Sequence, residues 1–305
     1  MSEPVILVHA GAGGFGDDLR ERAEECRAAL EDALLAGAAA LEPAAGGGAG
    51  ALEPAAGGAV AAVCAAVMVM EAFPLFNAGY DSVLCSDGSV EMSAAIMRGS
   101  DRAAGAVAMM RRTRHPVAAA LALLEEPPVL LAGERADAHA AGCGLEQHDP
   151  SEFVTERQRR RLERWLSHRE QPDRGTVGAV CLDRSGLLAA ATSTGGRLGQ
   201  RPGRVGDSPL IGAGTWADPA VAVSCTGAGE SFIRCGAARL LGALVASGVA
   251  IEAAAGTVID EVAACDGVGG LIAVDARGRV ALPFSTEAMP RGVWRPGHGS
   301  TIELP

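Results

Sequence analysis

The feature that most constrains this chain is an abrupt change in composition near its middle. Residues 151–175 are strongly polar, whereas residues 177–182 (VGAVCL) are apolar and are typical of a buried strand. Thr176 lies at the boundary between these segments, directly after Gly175. It is either the β-branched residue that begins an ordinary strand, or the first residue of a new chain released by cleavage of the Gly175–Thr176 bond.

Cleavage would give Thr176 a chemistry that an internal threonine lacks. Its hydroxyl would be a nucleophile, and its own α-amino group would be the base that takes the hydroxyl proton. A free α-amine has an ordinary pKa of about 7.7–8, so much of it can accept a proton near neutral pH. The segments downstream bear on which interpretation holds.

Composition excludes several classes of protein. The chain has 305 residues, of which 49% are apolar, enough for a large core in one domain or two small ones. Its formal net charge of −11 argues against nucleic acid or an anionic membrane as the main partner. All 26 basic residues are arginine, which excludes enzymes that need a Schiff-base lysine or a P-loop lysine.

The N-terminus and the cysteines predict a cytoplasmic protein. Residues 1–11 contain no basic segment followed by a long apolar run, the pattern of a secretory signal. The longest apolar stretch, 59–70, is too short to span a membrane. No two of the eight cysteines are spaced as CxxC, and most lie in apolar runs, so reduced core thiols are favoured over disulfides or a zinc site.

A glycine-rich turn at 11–16 (GAGGFG) follows the first predicted strand, 4–9. It matches the GxGxxG pattern of dinucleotide-binding oxidoreductases, with Glu31 or Asp32 placed to hold a ribose. The two aspartates directly after the turn would repel a pyrophosphate at that helix N-terminus. A glycine turn capped by aspartate is the simpler interpretation. His9 has no partner at metal-ligand spacing and is interpreted as structural.

The N-terminal half alternates between apolar elements and polar or low-complexity segments. Asp87-Gly88 predicts a hairpin between 83–85 and 89–92. The repeated LEPAAGG predicts a flexible insertion over 41–58, and the charged residues before Gly175 predict a mobile linker over 150–175, either a helix over 152–169 or disordered. Periodicity further predicts helices over 17–40, 59–72, 116–125 and 134–141, and strands over 103–110 and 129–133.

The C-terminal half is predicted to run hairpin, strand, helix pair, hairpin. This order favours antiparallel sheet with helices packed outside, an α+β layered fold. The predicted strands cover 177–182, 187–192, 220–225, 271–274 and 280–283, and the predicted helices cover 233–247 and 252–264.

Several segments, taken together, resemble the plant-type asparaginase or isoaspartyl peptidase family of N-terminal nucleophile (Ntn) hydrolases. They span nearly the whole chain in the family's order. The segments are HAGAG at 9–13, FNAG at 76–79, DGSVEM at 87–92, GTVGAV at 175–180, TSTGG at 192–196, PGRVGDSP at 202–209 and SCTGAGE at 224–230.

This resemblance implies a single domain over 1–305, built as a four-layer αββα sandwich. It implies self-cleavage into an α part, 1–175, and a β part, 176–305. It also implies hydrolysis of β-aspartyl dipeptides or of the side-chain amide of L-asparagine, and a homodimer of processed units. Catalysis would need no cofactor, although a structural sodium ion would be held by the backbone of the loop from Phe73 to Ser82.

The resemblance assigns catalytic roles to four residues. Thr176 would be the nucleophile, and Thr194 would hydrogen-bond it. Thr226 and the backbone N–H of Gly227 would form the oxyanion hole, where one well-placed donor contributes roughly 3–4 kcal/mol. Without the family resemblance, Thr194 and Thr226 are more simply interpreted as ordinary loop hydroxyls.

The resemblance also assigns residues to substrate binding. Arg204 would bind the substrate α-carboxylate through two parallel hydrogen bonds, and Asp207 would bind the α-ammonium. The Gly229 carbonyl would help hold the amine, and Asn77 would lie beside the nucleophile. The simpler alternatives are an Arg204–Asp207 surface ion pair and a turn held by Asn77. A non-catalytic amino-acid binder on the same fold also remains open.

Overall fold

The fold is built around two β-sheets. The computed structural model describes residues 2–14, 16–42, 57–168 and 175–305. Its strands are β1 (Val5–His9), β2 (Met92–Arg98), β3 (Ala104–Met110), β4 (Leu130–Ala132), β5 (Val177–Leu182), β6 (Leu188–Thr194), β7 (Thr215–Ala217), β8 (Val221–Gly227), β9 (Gly269–Asp275), β10 (Val280–Ala281), β11 (Arg291–Arg295) and β12 (Gly299–Glu303).

Helices cover the outer faces of both sheets. They are α1 (Asp17–Glu21), α2 (Ala23–Ala40), α3 (Ala59–Ala72), α4 (Pro116–Ala122), α5 (Glu134–Gly142), α6 (Glu156–His168), α7 (Gly229–Cys235), α8 (Ala237–Ala246) and α9 (Ile251–Ala264).

The strand order places β5 in the middle of the larger sheet. That sheet has eight strands in the order β12-β11-β1-β5-β6-β2-β3-β4, and the smaller has four in the order β10-β9-β8-β7. Every pairing between these strands is antiparallel except that of β3 with β4. The α+β class predicted from the sequence is therefore confirmed.

The alternation of side chains along β1 shows how the layers stack. Ile6 and Val8 pack against α2 and α3, whereas Val5 and Leu7 pack into the core shared with the smaller sheet. Because successive strand residues point to opposite faces, a strand buried on both faces is apolar throughout. Helices α8 and α9 close the far side of the smaller sheet, so the fold has four layers, αββα.

Two predicted helices are interrupted. The predicted helix over 17–40 breaks at Arg22, whose φ of −113° and ψ of 30° are not helical. The predicted helix over 233–247 breaks at Gly236, which adopts a left-handed conformation with φ 60°, and its first part, α7, begins earlier than expected. Four strands were not predicted, namely β2, β7, β11 and β12; the strand predicted over 89–92 reaches only the first residue of β2.

The hairpin predicted around Asp87-Gly88 is wrong in its strands, although the turn is present. The amide of Cys85 donates to the carbonyl of Ser89 at 2.8 Å, but residues 83–91, all of which the structure describes, form no strand. The backbone instead pairs with a distant loop. Ser86 donates to the carbonyl of Gln200, and Gly199 donates to the carbonyl of Leu84, each at 2.8 Å.

The segment predicted as a mobile linker, 150–175, contains a packed helix over much of its length. Phe153, in a short 3-10 turn, and Gln158, in α6, are both fully buried. Nε2 of Gln158 donates to the backbone carbonyl of Asp81 at 2.8 Å, which anchors the helix. Residues 169–174 lie outside the described residues, as do residues 43–56 of the predicted insertion 41–58.

The loop from Phe73 to Ser82, predicted to hold a sodium ion, connects α3 to the region of the predicted site. It begins where the amide of Phe73 donates to the carbonyl of Met70 at 3.3 Å, at the C-terminal end of α3. It ends at the fully buried Ser82, whose Oγ donates to the carbonyl of Gly79 at 3.0 Å. Asn77 lies between these two ends.

The state of the cysteines and the character of the helices were both considered in the sequence. All eight cysteines are free thiols, and five of them are buried. Within the described parts of the chain, every helix is either too short or too polar to traverse a bilayer.

Candidate active site

Thr176 lies at the start of the central strand β5, with its side chain buried. Its Oγ1 donates a hydrogen bond of 3.2 Å to Oγ1 of Thr194, the last residue of the neighbouring strand β6. The antiparallel register explains this contact. Val177 pairs with Ser193, so Thr176, just before Val177, lies beside Thr194, just after Ser193. The two threonines of the predicted site are brought together.

The carbonyl oxygen of Gly175 accepts two side-chain hydrogen bonds. Nδ2 of Asn77 lies 2.7 Å away and Oγ1 of Thr194 lies 3.1 Å away. The amide of Val83 donates to Oδ1 of Asn77 at 2.9 Å, which fixes the orientation of that side chain. Two donors thus meet at the carbonyl of Gly175, and the next residue, Thr176, carries a buried hydroxyl.

The hydroxyl of Thr194 accepts two hydrogen bonds and donates one. Its Oγ1 accepts from the Thr176 hydroxyl at 3.2 Å and from the amide of Gly196 at 3.0 Å. Its own proton is donated to the carbonyl of Gly175 at 3.1 Å. This arrangement polarises the Thr176 hydroxyl and the Gly175 carbonyl at the same time.

The glycine-rich turn after β1 packs against the same peptide bond. Gly11 has a φ of 109°, and a Cβ at this position would lie 3.0 Å from Cα of Gly175 and 3.2 Å from the amide nitrogen of Thr176. Only glycine combines this backbone with so close an approach. The glycine pattern is thus explained without a dinucleotide, and the oxidoreductase alternative is not favoured. Sequence reasoning saw the pattern but did not assign Gly11 to the site.

A cavity of about 360 Å³ opens beside Thr176. Gly229 shows how tightly its wall is packed, because a Cβ there would lie 2.8 Å from both Nη2 of Arg204 and Oδ1 of Asp207. The predicted site residues among those that line the cavity are Gly175, Thr176, Thr194, Arg204, Asp207, Gly227 and Gly229.

Arg204 already binds a carboxylate, but it is not that of Asp207. Its Nε and Nη2 donate to Oε1 and Oε2 of Glu230 at 2.9 and 3.0 Å, a bidentate pair. The Arg204 side chain is only 19% exposed, whereas that of Glu230 is 55% exposed, so the pair is partly open to solvent. The structure thus contradicts the simple Arg204–Asp207 pair. Glu230 was missed by sequence reasoning, although it ends the SCTGAGE segment.

Asp207 is a buried carboxylate whose negative charge is poorly compensated. It is 5% exposed, and its Oδ2 accepts no hydrogen bond from the described residues. Burial raises the pKa of Asp207 to about 6, because the charged form is poorly solvated. Such a group at a cavity wall is suited to an ammonium ligand.

Thr226 and Gly227 end the strand β8 on the opposite sheet. Thr226 is fully buried, and its Oγ1 accepts a hydrogen bond of 3.1 Å from the amide of Ala12. Gly227, with a φ of 142°, lines the cavity. Gly227 therefore forms part of the cavity wall, and Thr226 contacts the glycine-rich turn at 11–16.

A chain of buried hydrogen bonds runs between the two sheets below the site. Nε2 of His9 lies 2.9 Å from Oγ of Ser224, which lies 2.7 Å from Oγ1 of Thr192. Thr215 donates to Thr192 at 2.7 Å and contacts the carbonyl of Ser208 at 3.0 Å. Burial lowers the pKa of His9 to about 3, so the ring is neutral at physiological pH.

The four-layer fold and the threonine at the start of its central strand define an Ntn hydrolase. Comparison with known proteins specifies the family. The chain matches the family described as "Asparaginase" over residues 2–302, and it belongs to that family.

Curated relatives match along almost their full lengths. An isoaspartyl peptidase of Salmonella typhimurium is 42% identical over 309 residues, which covers 95% of each chain. A plant-type L-asparaginase of Pyrobaculum calidifontis is 41% identical, covering 96% of this chain and 97% of its own. An isoaspartyl peptidase/L-asparaginase of Bos taurus is 38% identical, covering 94% and 92%.

Proposed function

We propose that this chain is a self-processing threonine amidohydrolase that cleaves β-aspartyl dipeptides and the side-chain amide of L-asparagine. The names of its relatives support these substrates. One observation carries the mechanism. The Gly175 carbonyl accepts hydrogen bonds from Asn77 and Thr194, directly beside the buried hydroxyl of Thr176.

Self-cleavage begins with attack of Thr176 Oγ1 on the carbonyl carbon of Gly175. Negative charge develops on the Gly175 oxygen, where Asn77 and Thr194 already donate. The C–N bond then breaks, the hydroxyl proton passes to the departing amine, and an ester joins Gly175 to Oγ1. Water hydrolyses this ester, leaving a carboxylate on Gly175 and a free amine on Thr176.

In turnover, the free amine of Thr176 takes the proton of its own hydroxyl. The substrate is held by its amino-acid end. The substrate α-carboxylate replaces Glu230 as the bidentate partner of Arg204, and Asp207 with the Gly229 carbonyl binds the α-ammonium. This leaves the side-chain carbonyl of the substrate at the nucleophile.

Attack on that carbonyl forms a tetrahedral oxyanion at the β8 end of the cavity. We assign stabilisation of this oxyanion to the N–H of Gly227, which lines the cavity, and to the hydroxyl of the adjacent buried Thr226. Collapse releases ammonia or an amino acid and leaves an aspartyl ester on Thr176. Water then releases aspartate.

Intact mass measurement tests the first step. The purified 30.8 kDa chain should convert into two fragments that meet between Gly175 and Thr176. Thr176→Ala should remain one species and should hydrolyse neither asparagine nor a β-aspartyl dipeptide. A wild-type chain that stays whole, or an alanine variant that still turns over substrate, contradicts the proposal.

We also propose that the loop from Phe73 to Ser82 holds a structural sodium ion. Gly79 has a φ of 56°, and a Cβ there would lie 2.5 Å from the carbonyl oxygen of Glu71 and 2.6 Å from that of Arg114. Two backbone oxygens from outside the loop therefore approach Gly79, and hard cations take oxygen ligands. Thermal unfolding in sodium chloride and in choline chloride at equal ionic strength tests this, since only sodium should stabilise.

A cytoplasmic homodimer of processed units is the assembly that we propose. Eight free thiols suit a reducing compartment. Val129 and Leu130 are 49% and 41% exposed at the edge strand β4, and such apolar groups favour a protein contact. The mass of the processed protein in solution, measured by light scattering, distinguishes one unit from two.

A further inference from the structure

Three metal-ligating side chains meet outside the proposed active site, where α5 contacts the segment after α4. His139 and Cys143 are four residues apart at the C-terminal end of α5, so they lie on one face of the helix. Glu126 reaches the same point from the turn after α4, where its amide donates to the carbonyl of Leu123 at 3.0 Å.

Their separations fit a tetrahedral ion. Nε2 of His139 lies 3.6 Å from Sγ of Cys143 and 3.8 Å from Oε1 of Glu126. All three ligand atoms lie within 4.8 Å of one another. Zinc bonds of about 2.0–2.3 Å at tetrahedral angles separate neighbouring ligand atoms by about 3.4–3.6 Å. The remaining separation, from Sγ of Cys143 to the Glu126 carboxylate, is within 4.8 Å, so a movement of up to about 1 Å by the Glu126 side chain completes three corners of that geometry.

The chemistry of the three groups selects the ion. An imidazole, a thiolate and a carboxylate suit Zn²⁺, whereas Mg²⁺ and Ca²⁺ require oxygen ligands. The side chain of His139 is 18% exposed and that of Glu126 is 44% exposed, so an ion can enter from solvent. No CxxC spacing marks this site in the sequence, because one ligand comes from another element.

We propose that Glu126, His139 and Cys143 form a zinc-binding site that joins the end of α4 to α5. On binding, the thiol of Cys143 releases its proton to solvent, and the thiolate, the neutral imidazole and the carboxylate coordinate the ion. Because the ion binds only where both elements are in place, zinc stabilises the folded protein by mass action.

Titration of the chelator-treated, full-length protein with Zn²⁺ alone tests the site. Wild type should bind one equivalent, and Cys143→Ser should weaken the affinity by about tenfold or more. Cys265→Ser, at another half-buried cysteine, is the matched control and should bind as wild type does. Substitution with Co²⁺ adds a direct signature, a thiolate-to-cobalt charge-transfer band that Cys143→Ser abolishes and Cys265→Ser retains.

Two outcomes overturn this proposal. Either wild type and Cys143→Ser bind Zn²⁺ equally, in which case His139 and Glu126 form only an ion pair, or the thiolate band disappears in Cys265→Ser instead. Circular dichroism of each variant without metal shows whether it folds, and His139→Gln gives a second test at a different ligand.

A separate observation concerns a second arginine in the substrate cavity. Arg197 follows Gly196, just beyond β6, and its half-buried side chain lines the cavity together with Arg204. Oε1 of Gln200 accepts from the amide of Arg197 at 3.0 Å and from Nη1 of Arg204 at 3.3 Å, so one amide links the two arginines. Arg204 is paired with Glu230, whereas Arg197 forms no ion pair within 4.0 Å with any described residue and acts on Glu230 only at longer range.

The two proposed substrates differ in their leaving groups. Asparagine releases ammonia, which carries no acid group, whereas a β-aspartyl dipeptide releases an amino acid with a free α-carboxylate. Building on the proposed function, we infer that Arg197 binds this leaving-group carboxylate and favours dipeptides. A guanidinium at the wall of the cavity, with no direct ion pair to a described residue, is the appropriate group for that anion.

Three substrates separate this effect from general damage to the site, namely β-aspartyl-alanine, its C-terminal amide and L-asparagine. In wild type, kcat/KM for the free acid should exceed that for the amide. Arg197→Gln should lower this ratio about tenfold, mainly through KM, as expected for the loss of one charge-assisted hydrogen bond. Arg201→Gln, at an exposed arginine nearby, is the matched control.

The results separate this inference from the proposed function. A ratio that is the same in Arg197→Gln and wild type overturns the role of Arg197 and leaves the amidohydrolase intact. If wild type cleaves none of the three substrates, the proposed function itself fails.

Discussion

The side-chain nitrogen of Asn77 lies 2.7 Å from the carbonyl oxygen of Gly175, and the two residues are 98 positions apart in the chain. Asn77 is the only asparagine in the sequence. It also donates to the carbonyl of Gly196 at 2.7 Å, so both protons of its amide are engaged. The bond before Thr176 is thus held in a polarised state by a side chain from a distant loop.

Asn77→Asp should slow self-cleavage by about 10²–10³-fold. The aspartate keeps the acceptor for the amide of Val83 but loses both donations, and removal of one oxyanion donor has an effect of this size. The fraction of uncleaved chain, followed by intact mass over time, gives the rate. Cleavage at the wild-type rate would remove Asn77 from the mechanism.

Thr194→Val should impair both self-cleavage and turnover, because Thr194 contacts the Thr176 hydroxyl as well as the Gly175 carbonyl. Valine retains the shape and lacks the hydroxyl. Thr257→Val, at an exposed threonine of α9, is the control and should behave as wild type does. The two rates are measured separately, by intact mass and by aspartate release from processed enzyme. Normal values for both would be incompatible with the proposed role.

Asp207 should affect how steeply kcat/KM falls at acidic pH. Binding a substrate ammonium requires the ionised carboxylate, whose pKa is about 6 because of burial. The free amine of Thr176, with an ordinary pKa of about 7.7–8, must also be unprotonated. Below about pH 6, kcat/KM should therefore fall about a hundredfold per pH unit, rather than the tenfold expected for one group. A single-proton slope down to pH 5 would contradict the assignment.

The carboxylate of Asp207 should also lower the free energy of unfolding at neutral pH. A folded-state pKa raised from 3.8 to about 6 means that its contribution to stability is greatest below pH 3.8 and is lost as the pH rises through about 6. Asp207→Asn should therefore be more stable at pH 7, by up to about 3 kcal/mol. Urea unfolding in a Thr176→Ala background, where the chain stays whole, measures this. Equal stabilities at pH 7 would show that the burial has no energetic consequence.

His9 should give the opposite pH dependence. Its folded pKa of about 3 lies below the ordinary value of 6.5, so its contribution is present above pH 6.5 and is lost as the pH falls towards 3. In the Thr176→Ala background, the chain with His9 should lose about 2 kcal/mol between pH 7 and 5 that the chain with His9→Gln does not lose. The comparison is the difference in free energy of unfolding between the two pH values. Equal losses in both proteins would show that His9 protonates in the folded state.

Much of the fold could be predicted from local pattern. The helix over 59–72 and the strand over 177–182 were predicted with the bounds that the structure shows. The strand is apolar throughout and the helix is apolar except for Glu71, so their own composition predicts that most of their surface is buried. Elements with mixed composition were less predictable, as the breaks at Arg22 and Gly236 and the strands flanking Asp87-Gly88 show.

The sequence by itself determined that Thr176 begins a buried strand after a polar segment, and the order of its motifs pointed to an Ntn hydrolase of the asparaginase type. Only the tertiary structure decided which groups meet there. Gly11 against Gly175, and Glu230 rather than Asp207 on Arg204, are contacts between segments far apart in the chain. Residue types and spacing report local backbone preference and burial, whereas the partner of a polar group depends on how the two sheets and their connecting loops pack.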